Sequence, residues 1–119
     1  MYNIINQPVN ALILLGLAME KYPESEYIYL IYKNLGNAYL KQGMNDTAIK
    51  YLELSREIKL SEPETNLYLV RVYEAFGQIT KSIDLLQHYI EIETDTLKIN
   101  EAKRHLKEIT IRHLKEIVQ

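Results

Sequence analysis

Shifted by 34 residues, this sequence falls back on itself with residue type as well as position preserved. Leu35 returns as Leu69, Tyr39 as Tyr73, Gly43 as Gly77, Ile49 as Ile83, Leu52 as Leu86 and Ile58 as Ile92, while Ala48 becomes the equally small Ser82. A period of this length marks a supersecondary unit that cannot bury its apolar face alone and stacks on its neighbours. The chain is therefore expected to fold as an array, and its function has to suit one.

Each unit reads as two helices around a glycine. Tyr32, Leu35, Gly36 and Tyr39 gather on one side of a first helix, Gly43 breaks the run, and Ala48, Ile49, Leu52 and Ser55 form a second stripe. Small residues at Gly36, Ala48 and Ser55 let the two helices approach closely, so an antiparallel hairpin is predicted.

The start carries part of a further unit. Tyr2, Ala11, Leu15, Ala18 and Pro23 repeat the later spacings, the interval from Tyr2 to Ala11 matching those from Tyr39 to Ala48 and from Tyr73 to Ser82. The chain thus reads as beginning inside a unit, with "PESEYIY" lengthening the next helix and Ser25 as its N-cap. The apolar run "ALILLGLAM" is too short to span a bilayer, and no cation precedes Lys21, so the charged start of a secretory signal is missing from it; a buried helix is expected.

After Thr94, "DTLKINEAKRHLKEITIRHLKEIVQ" holds neither Gly nor Pro and reads as one long helix capped by Asp95 or Thr96. Ile99, Ala102, Leu106, Ile109 and Ile117 share the face expected to cover the last hairpin. Ile111, Leu114 and Val118 lie away from it: either they are tolerated surface apolar residues, or this end meets a further repeat or a second copy of the chain.

The 34-residue period and the runs "YKNLGNAYLKQG" and "TAIKYLELS" resemble the tetratricopeptide repeat family. Tyr32, Leu35, Gly36, Tyr39, Ala48, Leu52 and Ser55 stand at its motif places; Leu60 replaces its terminal proline, and the second copy has Asn66, Val70 and Tyr89 at the aromatic, glycine and second small places. The resemblance implies an all-α fold, a right-handed α-solenoid of antiparallel helix hairpins with a long C-terminal capping helix. It would be a single domain over residues 1–119: a partial first repeat at 1–25, repeats at 29–62 and 63–96, and the C-terminal helix at 97–119. A non-enzymatic protein-binding module without metal or cofactor is implied.

Such arrays line a concave groove with the first helix of each unit. Leu30, Lys33, Asn37, Leu40 and Lys41 form that stripe in the first full unit, and Glu64, Leu67, Arg71, Glu74 and Ala75 in the second. Leucines would anchor a peptide or partner helix, and Lys33, Asn37 and Arg71 would hold carboxylates or carbonyls. Lys33, Asn37 and Lys98 also resemble part of the family's carboxylate clamp, but Tyr68 and Ala102 stand where its asparagine and arginine belong, so a general groove is implied rather than the full clamp.

Other chemistry finds little support. The chain has 119 residues, a formal net charge of −2, ordinary hydrophobic and charged content, and no Cys, which fits a single folded domain in a reducing, cytoplasmic setting. No phosphate-loop, dinucleotide, zinc-protease or nucleophile-elbow motif is present. Asp84 and His88 are four apart on a helix, but read as a solvent-facing pair rather than metal ligands; His105 and His113 are turned about 80° from one another. Residues 96–119 carry six cations and three anions against eight and thirteen before them. Arg104, Glu108, Arg112 and Glu116 pair with each other, and Lys98, Lys103, Lys107 and Lys115 are scattered, which argues against a nucleic-acid track. Of ten tyrosines, Tyr32, Tyr39, Tyr51 and Tyr73 take core places, while Tyr27, Tyr29 and Tyr68 are expected to be freer. Two alternatives stand beside the groove: an assembly segment self-associating through Ile111, Leu114 and Val118 into a homo-oligomer, and an accessory part of an enzyme lying outside this chain.

Overall fold

The computed structural model describes residues 7–23 and 27–118. Six helices and no strand occur among them: α1 (Gln7–Lys21), α2 (Ile28–Lys41), α3 (Asn45–Ile58), α4 (Pro63–Ala75), α5 (Ile79–Ile92) and α6 (Thr96–Ile117). They divide into two compact units, Met1–Ser61 and Glu62–Gln119. The expected cap at Ser25 and the place of Tyr2 lie outside the described residues.

The two α-hairpins turn identically. Gly43 and Gly77 have φ of 77° and 76°, the left-handed region that a side chain disfavours. Gly43 N donates to Leu40 O at 3.0 Å and Met44 N to Tyr39 O at 3.0 Å; 34 residues on, Gly77 N donates to Glu74 O and Gln78 N to Tyr73 O, both at 2.9 Å. This paired closure satisfies carbonyls that the helix end would otherwise leave unmet. The chain then re-enters a helix through Met44 (φ −87°, ψ 70°) and Gln78 (φ −86°, ψ 70°).

In unit 1, α2 packs on α3 and α1 packs on α2. Leu35, Ala48 and Leu52 are fully buried. Gly36 is where the helices meet most closely: a methyl group there would lie 2.5 Å from Leu52 Cγ. At the other end Ser55 Oγ donates to Tyr29 O at 2.7 Å, so the start of α2 meets the end of α3 and the pair runs antiparallel. Tyr51 stacks between Tyr39 and Tyr32, with ring centroids 5.8 and 6.1 Å away. From α1, Leu15 joins Ile28 and Leu35, and Met19 Sδ accepts from Tyr32 OH at 3.6 Å.

Two expectations are corrected here. Tyr29 is not free: it is 7% exposed, and Lys59 Nζ donates to its hydroxyl at 3.2 Å from above the ring. The run "ALILLGLAM" is helical but not a buried helix, since Leu12, Ile13, Leu14, Leu17 and Met19 are all exposed. The cause is geometric: among the described residues α1 packs against α2 alone, so one narrow stripe is covered. No helix among the described residues is long and apolar enough to cross a membrane.

In unit 2, α4 pairs with α5 and α5 with α6. Ser82 Oγ donates to Val70 O at 3.3 Å, and Asn66 contacts His88 at 3.2 Å, again an antiparallel pairing. Leu69, Val72 and Leu86 are fully buried, and Val70, 1% exposed, takes the place of Gly36; this hairpin makes room for a branched side chain where the first makes none. Asp95 caps α6, its Oδ1 accepting from Leu97 N at 3.0 Å and Lys98 N at 3.2 Å. Ala102 and Ile109 are buried as expected, but Ile117, assigned to the same face, is 64% exposed. At 1.5 Å per residue α6 runs about 33 Å against about 21 Å for α5, and its last turns outrun the helix they would cover.

Candidate functional site

A cleft opens in unit 2 between α4 and α6. Leu67, Val70, Leu86 and Ala102 give it an apolar floor, and Arg71, Lys98, Glu101 and His105 stand around it. An adjoining extension, sharing Leu67, Arg71, Lys98 and Glu101, adds Glu64 and Glu93. The floor follows from the packing already described, because Val70 and Leu86 are the buried faces of α4 and α5 seen from one side. The rim follows from helix periodicity: Leu67 and Arg71 are four apart on α4, and Lys98, Glu101 and His105 follow at three and four on α6.

Three of the five groove residues expected from this unit therefore come together here, Leu67 and Arg71 in the cleft and Glu64 in its extension. Glu74, expected on the same stripe, is turned toward α6, with Oε1 2.6 Å from His105 Nε2. The ring makes this a hydrogen bond only with a proton on Nε2; with the other tautomer that oxygen, buried among the side chains, has no donor. In unit 1, Leu30, Asn37 and Leu40 are half-buried and Lys41 exposed, but Lys33 is only 8% exposed. A cation so covered is a poor candidate for meeting a ligand, and helical spacing alone had placed it beside Asn37.

The floor of the cleft is wired to the α5–α6 turn. Tyr89, 3% exposed, has its phenol pushed up to about 12 by burial and by its hydrogen bond to Glu93, with Glu93, Asp95 and Glu101 adding negative charge nearby. Glu93 Oε1 accepts from Thr94 N at 2.9 Å and Asp95 N at 3.2 Å. The Asp95 and Thr94 amides, the Tyr89 hydroxyl and the nearby Lys98 hold its carboxyl below the usual range against a smaller desolvation effect. Tyr89 stands at the second small place of the second copy, and that departure from the repeat supplies the hydroxyl.

The phenol's shift has a measurable sign. A raised folded-state value favours the protonated fold: the stabilisation is complete below the ordinary tyrosine range and is lost as pH rises toward about 12. Subtracting the alkaline absorbance titration of Tyr89→Phe from that of the wild type should leave a phenolate band that grows in near pH 12. A band growing in near pH 10 would contradict the buried, Glu93-bonded phenol.

The Asp84–His88 pair does not form a solvent-facing couple. Asp84 is exposed, whereas His88 is half-buried with Nδ1 3.2 Å from Nδ2 of the fully buried Asn66. The amide N–H donates, so Nδ1 accepts and the ring proton sits on Nε2. No cluster of three metal-ligating side chains occurs among the described residues. Ile111, Leu114 and Val118 are 44%, 55% and 81% exposed. No protein-family model matches the chain, and no curated protein matches it.

Proposed function

We propose that this chain is a non-enzymatic protein-interaction module, built as a tetratricopeptide-like α-solenoid, that takes a peptide or partner helix in the α4–α6 cleft. The observation that carries this reading is the meeting of Leu67 and Arg71 with Lys98 and Glu101 over an apolar floor. Apolar side chains of the ligand would sit on Leu67 and Ala102, and its carboxylates or carbonyls would be held by Arg71 and Lys98. The carboxylates of Glu64, Glu93 and Glu101 beside them favour a ligand of mixed charge over a polyanion. A cytoplasmic setting belongs to the same reading.

The test is capture from lysate by the full chain and by Arg71→Glu plus Lys98→Glu. The charge-reversed protein should retain specific partners at least about tenfold less well, since hydrogen bonds to charged groups are each worth about 1.5–3 kcal/mol. An unchanged captured set would overturn the assignment. The exposed Ile111, Leu114, Ile117 and Val118 at the end of α6 favour a second reading, an assembly segment of a larger array or a self-associating scaffold; sedimentation velocity across a wide concentration range distinguishes it.

A further inference from the structure

The uncovered side of α1 has counterparts that are covered. Leu15 aligns with Leu52 of α3 and Leu86 of α5, since Ala11, Leu15 and Ala18 repeat the spacing of Ala48, Leu52 and Ser55. In that alignment Leu14 takes the place of Tyr51 and Leu85, and Leu17 the place of Leu54 and His88. Tyr51 is covered by Tyr32 and Tyr39 of α2; Leu85 is 8% exposed, and His88 is bonded to Asn66 of α4. On α3 and α5, then, this side is where the preceding antiparallel helix lies. On α1 it is bare, with Leu14 57% and Leu17 59% exposed.

We propose that the Leu14–Leu17 face of α1 is a docking site for an amphipathic helix of a partner protein, seated on α1 as α4 is seated on α5. The place of each side chain defines the helix it takes. Leu17 stands where His88 satisfies Asn66, and an aliphatic group satisfies no amide; the partner is therefore apolar at the Asn66 position. From Gln7 to Met19 α1 carries no charge, and Glu20 and Lys21 follow at its end, so the facing stripe is apolar along most of its length and polar only near the partner helix's start. The open end of α6 in a second copy fits this poorly, because Arg104, Lys107, Arg112 and Lys115 accompany its apolar residues. An anionic lipid surface fits poorly as well, for α1 offers it a single cation.

The probe is a fluorescein-labelled peptide of the α4 sequence, Pro63–Ala75, carrying N66L, titrated against the full chain and read by anisotropy. Saturable binding is expected, with the unmodified peptide about tenfold weaker for want of a partner to its amide. Leu14→Glu plus Leu17→Glu, both at exposed positions, should abolish binding at unchanged helicity, and Leu17→His should restore preference for the unmodified peptide. Absence of saturable binding, or equal binding to the double variant, overturns the proposal. So does a concentration-dependent dimer lost in the double variant, which assigns the face to a second copy. Co-sedimentation with phosphatidylserine-containing vesicles would assign it to a membrane instead. Arg71→Glu plus Lys98→Glu leaves this binding unchanged, so the outcome is independent of the α4–α6 cleft.

Discussion

Leu52→Ala should lower the unfolding free energy by about 3–5 kcal/mol, toward the upper end of what buried leucine truncations cost. Leu52 is fully buried, and the surface opposite it is Gly36, whose hydrogen has nothing to relax into the vacated space. Leu86, the same position in the second hairpin, lines the cleft together with the valine that replaces that glycine; Leu86→Ala should cost less, about 2–3 kcal/mol, because side chains bordering the cleft can close on the gap. Urea denaturation followed by circular dichroism measures both. Equal losses, or a loss below about 1 kcal/mol at Leu52, would mean that the first hairpin is packed more loosely than its glycine implies.

Gly36→Ala is the second large expectation, and two effects oppose each other there. Alanine favours an interior helical position over glycine by about 1 kcal/mol. Its methyl group, however, would sit 2.5 and 2.7 Å from Leu52 Cγ and Cδ2, with the Leu52 backbone nitrogen at 3.2 Å. A fully buried leucine has no room to swing aside, and overpacking of this kind costs about 1–3 kcal/mol. The net expectation is a loss. In the Leu52→Ala background the two closest atoms are gone, so the same substitution should become nearly neutral or stabilising, a coupling within the range known for touching residues of about 0.5–3 kcal/mol. A Gly36→Ala protein as stable as the wild type would show that the helices part without penalty.

The 34-residue correspondence was legible because it is written in residues with few substitutes: a left-handed glycine at each turn, a leucine at each hairpin centre, a small residue where helices touch. What escaped was set by neighbours that periodicity does not specify. Spacing put Lys33 and Asn37 on one stripe, yet the cation is covered and the amide half-covered. Tyr29 looked free until the Ser55 hydroxyl found its carbonyl and Lys59 its ring. Asn66, visible only as a departure from the aromatic place, proved to be half of a polar pair whose other half was His88. The extent of burial on α1 and on the last turns of α6 depended on the length and number of the helices beside them, which no residue in those segments encodes. In the candidate cleft, Leu67 and Arg71 could be named from α4 alone, whereas the part played by Glu101 and His105 required knowing that α6 stands across the cleft from α4.

Within either unit, each helix pairing joins elements consecutive along the chain. Contact order is consequently low, and no distant ends have to find one another before native interactions begin to reward the search. A polypeptide of this design can acquire structure hairpin by hairpin as it leaves the ribosome, and it can also give up one terminal helix without dismantling the rest. Fraying of α1 or of the last turns of α6 would then be a local equilibrium, expected to show as early amide exchange that a bound partner quenches.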